Sequence, residues 1–192
     1  EVGGGTWLGA NEHGLVAAIT NRLTAEAVNP ALPSRGSLCQ DVLSQRSMAE
    51  AEATLADRLR VSAFNPFNLL CVDPSQAFVL ASTGQRFDFD PGPHIVTNQG
   101  DPDDEQLPRV RRGLELLARQ DVASSSLDSV LSALAAICRD DEGPNPICRA
   151  GGERGTVSSS IIALDHGGKL AAYWHAAGPP CQEQHQYQKC MF

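Results

Sequence analysis

Apolar residues recur along this chain with two periods, and the period sets each element. Short apolar runs bounded by turn residues predict strands, while apolar positions three and four apart predict helices. Val16-Ala17-Ala18-Ile19-Thr20 follows the turn Asn11-Glu12-His13-Gly14, and Thr6-Trp7-Leu8 before that turn completes a hairpin. Residues 29–36 hold two prolines, a serine and a glycine and read as a surface loop, after which a helix runs from near Ser37 to near Arg46. Ser47-Met48-Ala49-Glu50 has the capping-box form and opens a second helix that reaches Leu59. Residues 67–72 and 77–81 flank Asp73-Pro74-Ser75-Gln76, which predicts two antiparallel strands around a type I-like turn. Residues 94–97 read as a further strand that ends on the polar Asn98. Helical spacing returns over 107–119 and 126–139, with the polar stretch 121–125 between them. A long loop over 140–155 leads to a hairpin of residues 158–164 and 169–175 about the turn Asp165-His166-Gly167-Gly168, followed by a Pro-rich tail.

Strands therefore come in adjacent pairs and helices in groups. That order predicts antiparallel sheet with helices on its outer faces, not alternating βαβ units. No repeat and no domain boundary is visible, so residues 1–192 read as one domain, long enough to bury roughly 70% of the surface its unfolded form exposes. A hydrophobic share of 42% against 20% charged residues fits a folded chain. The formal charge of −8 argues against broad contact with a phosphate backbone, so nucleic acid is not an expected partner. No stretch reaches the roughly 18–20 apolar residues of a membrane span, and the cytoplasm is the default location. Six cysteines stand at 39, 71, 138, 148, 181 and 190, with no Cys-x-x-Cys spacing to hold a metal. Cys39 and Cys71 lie in apolar segments and read as core residues. Cys181 and Cys190 share a polar tail that admits a disulfide without requiring one, and a reducing compartment is favoured.

Several short strings then fall into a familiar order. Gly4-Gly5-Thr6-Trp7-Leu8-Gly9, Asn11, Gly14-Leu15, Thr20-Asn21 and Ser34-Arg35-Gly36 are followed by Asn65-Pro66-Phe67-Asn68-Leu69-Leu70 and Thr97-Asn98. Arg154-Gly155-Thr156, Ser158-Ser159-Ser160, His175 and Gly178-Pro179-Pro180-Cys181 close the series. The set resembles the NRDE family, also called the transport and Golgi organisation protein 2 family, over nearly the whole chain. Members of that family begin with Met-Cys and soon reach the Asn-Arg-Asp-Glu string that names them. This sequence opens on Glu1 and contains neither. The resemblance therefore predicts a single domain that is N-terminally incomplete.

The family is in turn similar to the choloylglycine hydrolases and penicillin acylases. That likeness implies an α+β fold of αββα layers, in which antiparallel sheets are flanked by helices and an N-terminal Cys is the nucleophile. Glu1 offers no thiol, so the implied hydrolysis of a C–N bond in a small amide requires the Cys-bearing segment. Matching positions carry supporting roles. Asn21 resembles the residue whose side-chain N–H helps hold the oxyanion. Asn98 resembles the asparagine that binds and orients the attacked group, and Arg154 the fixed cation that depresses a thiol pKa. Read from the residues alone, an Asn at a strand end caps a turn equally well, and Arg154 in a Gly-rich loop suits solvent. Ser158 to Ser160 lack a Gly-x-Ser-x-Gly elbow and read as the start of a strand.

A non-enzymatic carrier is the second implied function, because relatives are tied to haem handling and to lipid or secretory-pathway homeostasis. A haem ligand asks for an axial His, Cys, Met or Tyr. His13, His94 and His175 are the histidines nearest the shared strings, and Trp7 is placed to wall a ligand pocket. The amidase reading requires no cofactor, and the absence of Cys-x-x-Cys-His leaves no motif for covalent haem. Expected partners are a small-molecule ligand or amide substrate. A companion N-terminal fragment or a further copy of the chain is also expected, to cover the sheet edges that a missing segment would expose.

Overall fold

Branched and aromatic side chains at alternate positions draw the first part of the chain into a sheet. A computed structural model describes residues 4–120, 125–151 and 155–190. Strands β1 (Leu8–Ala10), β2 (Val16–Asn21), β3 (Phe67–Val72), β4 (Ala77–Ala81) and β5 (Arg86–Asp88) pair antiparallel in chain order. Helices α1 (Gly36–Leu43) and α2 (Met48–Val61) supply Leu38, Cys39, Val42, Met48, Ala51 and Leu55 to a core with Ala17, Ile19, Leu69, Cys71 and Phe78. The register aligns Ala17 with Cys71 and Ile19 with Leu69, so these positions share one face of the sheet. Each large side chain buried there contributes about 1.5–3 kcal/mol. The chain divides into two compact units. This first one comprises the described residues up to Pro102 together with Leu164–Leu170.

Local chemistry sets the helix ends. Ser47 Oγ accepts from the Glu50 N–H (3.3 Å), and Glu50 Oε2 accepts from the Arg46 N–H (3.0 Å), so the expected cap opens α2. Asn11 Nδ2 donates to Leu43 O (3.0 Å) and Gln45 O (2.8 Å), which takes the last carbonyls of α1 and stops it short of the expected Arg46. Asn11 Oδ1 accepts from the His13 and Leu15 N–H groups, so one carboxamide ties the β1–β2 turn to the helix.

The second unit holds α3 (Pro108–Ala118) and α4 (Leu127–Cys138), close to their expected bounds. A three-stranded sheet runs in the order β6 (Ser159–Leu164), β7 (Leu170–Ala176), β8 (Gln188–Lys189). Leu131 and Ala135 of α4 pack on Ile161 and Ala172, flanked by Trp174 and Tyr187. The fold is mixed α+β, with antiparallel sheets and four helices among the described residues.

Three expectations change. Among the described residues, 94–97 join no strand: the Thr97 carbonyl is taken by side chains, and the Asn98 carbonyl accepts from the Leu23 N–H. The tail after His175 is not all loop, since β8 pairs with β7 and Tyr187 OH lies 2.5 Å from Ser159 Oγ. Cys181 bonds Cys148 and not Cys190, with Cα atoms 6.2 Å apart, and this pulls against the reducing compartment expected from the spacing. Cys39 and Cys71 are fully buried core residues, as their apolar surroundings predict.

Candidate functional site

Strand parity at β2 decides which main-chain groups remain open. The Arg22 N–H donates to Pro66 O (2.9 Å), so even-numbered residues here bond toward β3. The Ile19 N–H donates to Trp7 O (2.9 Å), so odd-numbered ones point toward β1. Beyond the end of β2, the Leu23 N–H points to that same side and donates to Asn98 O (2.8 Å). Asn21 lies between these two bonds, and its N–H meets no acceptor among the described residues. The edge of β2 therefore carries a notch with Trp7 at one end and Asn98 at the other. At 3.3–3.4 Å per residue it is about 13 Å long. Asn21 and Asn98 are exposed, and Trp7 is 43% exposed where an aromatic in the hairpin would ordinarily join the core.

The segment bearing Asn98 is held from the sheet face opposite α1 and α2. Thr20 and Asn68 pair across β2 and β3, out of phase with the core positions Ile19 and Leu69. Thr20 Oγ1 donates to Thr97 O (3.2 Å), and Asn68 Nδ2 donates to Thr97 O (3.1 Å) and Gly100 O (3.3 Å). Arg22 Nη1 donates to Asn68 Oδ1 (3.0 Å), while Arg22 Nη2 pairs with Asp101 Oδ1 (2.6 Å). Asn68 is only 1% exposed, and such burial of a carboxamide is tolerable because both its oxygen and its nitrogen are bonded. Sequence reasoning missed this network. Its one visible sign is a polar residue inside the apolar run Phe67-Asn68-Leu69-Leu70.

Of the residues singled out from the sequence, Asn21 lies within the notch, and the Trp7 and Asn98 carbonyls are bonded at its two ends. Alternation turns the Asn21 side chain toward the α1–α2 face, so the donor that Asn21 presents to the notch is its main-chain N–H and not the expected side chain. Arg154 lies outside the described residues. His13 is exposed, with Nε2 3.6 Å from Glu12. His94 stacks on Phe89 with ring centroids 4.3 Å apart, and its Nε2 sits 2.8 Å from Asp90 O. His175 Nδ1 lies 2.9 Å from Ser160 Oγ across the β6–β7 hairpin. Each histidine thus has its own local partner. The cavity beside His94, about 270 Å³ and bordered by Asp73, Ser75 and Pro91, is smaller than the 300–1,000 Å³ of ordinary small-molecule sites.

Two further groups of reactive side chains are already committed. Burial pushes the Cys39 thiol up to about 12, and burial, with the neighbouring Cys39 and Glu52 acting against Arg86, does the same to Cys71. In the second unit a cavity of about 330 Å³ is lined by Arg111, Arg112, Glu115 and Glu142. Arg111 donates to Glu105 O, and Arg112 pairs with Asp140, whose carboxyl that bond holds below its ordinary range.

The transport and Golgi organisation 2 family model matches residues 1–174. The chain belongs to this family. No curated protein matches it. Much of what identifies the transport and Golgi organisation 2 family in this chain is architectural. A Cβ on Gly5 would stand 2.8 Å from the Gly36 backbone, so this close approach of the two chain segments calls for glycine at position 5. Asn65 clamps the Asn29 main chain in both directions, and Arg35 Nη1 donates to Pro66 O (2.9 Å).

Proposed function

We propose that the notch on β2 binds the carbonyl oxygen of a small amide and stabilises the oxyanion formed when that carbonyl is attacked. The observation that carries this reading is the Asn21 N–H, left without an acceptor among the described residues between the Trp7 and Asn98 carbonyls on the edge of β2. A main-chain N–H costs nothing to orient, because the sheet has already fixed it. The side-chain amide of the exposed Asn98, whose carbonyl holds the Leu23 N–H two residues past Asn21, would serve as the second donor, and two such donors aimed at developing negative charge are the usual equipment of acyl transfer. Trp7 offers an apolar wall for the substrate's flank.

Each sheet carries helices on one face, which is compatible with an N-terminal-nucleophile hydrolase of αββα layers and supports an amidohydrolase reading. The thiol is not among the described residues at the notch, since Cys39 and Cys71 are buried and stay protonated. Hydrolysis therefore proceeds only when a Cys-led segment delivers a thiolate to the notch. The α-amine of the Cys-led segment takes the thiol proton, the thiolate attacks the amide carbon, the oxyanion rests on Asn21 and Asn98, and the C–N bond breaks as the leaving amine receives that proton; water then cleaves the thioester to the acid and restores the thiol. The test is thiol-dependent turnover of small amides by protein carrying a Cys-led N-terminal segment. Asn98→Ala should lower kcat by about a hundred-fold, as loss of one oxyanion donor does elsewhere. Turnover that ignores Asn98, or no turnover of any amide, overturns the reading.

A further inference from the structure

Asn98 lies in a segment that belongs to no sheet, yet the proposed site needs its amide fixed to a fraction of an ångström. Something outside regular secondary structure must hold it. The Asn98 main chain makes one ladder-like bond, from the Leu23 N–H to its carbonyl. One bond leaves the peptide free to rock about that contact. The carbonyls on either side of Asn98, at Thr97 and Gly100, both accept from the same nitrogen, Asn68 Nδ2.

We infer that Asn68, oriented by Arg22, is the positioning residue for Asn98. This rests on the proposed oxyanion site and adds what holds it in place. A carboxamide has one face that donates and one that accepts. Turned around, Asn68 would set its oxygen against two carbonyl oxygens and release the segment. Arg22 prevents the turn, because Nη1 can only donate and therefore selects the Oδ1 face (3.0 Å). The other arm of the same guanidinium grips Asp101 (2.6 Å), at the far end of the segment. Arg22 thus reaches Asn68 and Asp101 at once, and residues 97–101 are fastened at both ends while Asn98 between them stays exposed. Asn68 itself is buried and does not touch the notch, so its role is to place Asn98 and not to meet the substrate. The Asn21 N–H owes its position to the sheet and is independent of this clamp.

That independence supplies the experiment. Acetate, a small carboxylate that mimics the oxyanion, is titrated into isotope-labelled protein. The main-chain amide of Asn21 and the side-chain amide of Asn98 are followed separately by NMR. In the unaltered chain both resonances should move with acetate. Asn68→Asp keeps the acceptor for Arg22 but puts an oxygen where the donor stood. It should raise the acetate concentration for half-saturation about tenfold, the value of one hydrogen bond, and abolish the Asn98 shift at saturation while leaving that of Asn21 in place. Arg22→Met leaves Asn68 in place but free to turn, and should give the same split if Asn68→Asp does not fold. A role confined to stability would lower the melting temperature and leave both saturating shifts in place. If the Asn98 shift at saturation persists in either folded variant, or is lost together with that of Asn21, the positioning role is overturned while the site stands. If neither resonance moves in the unaltered chain, the site reading fails and takes the positioning role with it.

Discussion

Cys39 and Cys71 show how burial sets the behaviour of a single group. Each thiol ordinarily ionises at 9.0, and the core raises both to about 12. Below the ordinary value the folded and unfolded chains both keep their protons and stability is at its full level. Between the two values the unfolded chain releases protons that the folded chain retains, so stability declines as pH rises through that window. Urea midpoints measured between about pH 8 and about pH 11 should fall, and the fall should shrink in Cys39→Ala compared at equal starting stability. A native chain should likewise leave both thiols unmodified by a maleimide at neutral pH and expose them only on unfolding. Their place in the core was legible from the apolar residues around them. Asn68 was not, because nothing local tells a buried, fully bonded amide from an exposed one. Its partners, Thr97, Gly100, Arg22 and Asp101, come from distant parts of the chain.

At the level of elements, reading by period recovered the four helices, the β1–β2 and β3–β4 hairpins and the β6–β7 pair, because each carries its signal within its own residues. The cap on α2 is the most local of these. Ser47→Ala removes the acceptor for the Glu50 N–H and should cost about 1 kcal/mol, seen as a lower melting temperature with no change in the fold. Elements whose signal lies elsewhere were not legible. β5 and β8 are short and polar, Arg86–Asp88 and Gln188–Lys189, and they exist because a neighbouring strand offers an edge. Residues 94–97 have strand-like composition but follow Gly92 and Pro93, and the carbonyl that ends them, at Thr97, is claimed by the side chains of Thr20 and Asn68. The notch was invisible for the same reason. The strings named Trp7, Asn21 and Asn98, but only the parity of hydrogen bonding along β2 shows which Asn21 group faces outward.

Across the whole molecule, the disulfide of Cys148 and Cys181 joins residues 33 apart in sequence within the second unit. A closed loop of that length stabilises the folded state by about 3–4 kcal/mol through the unfolded chain. Reduction should therefore lower the unfolding temperature of the second unit and speed cleavage of the loop before β6, while the first unit is unaffected. An intact mass two hydrogens below that of the all-thiol chain would confirm the bond, and the full thiol mass in freshly purified protein would refute it.

The first sheet is laid down in the order of the chain, β1 to β5. Three of its four pairings join neighbours across short turns and can close in microseconds. The remaining one, β2 with β3, must wait for α1 and α2 to be formed between Asn21 and Phe67. Asn21 ends that pairing and Arg22 bonds Pro66 just past it, so the register reached at this one slow closure fixes whether the notch exists at all. A chain that slipped here by a single residue would present the wrong main-chain groups along the open edge, and a folding error would be recorded as a loss of chemistry.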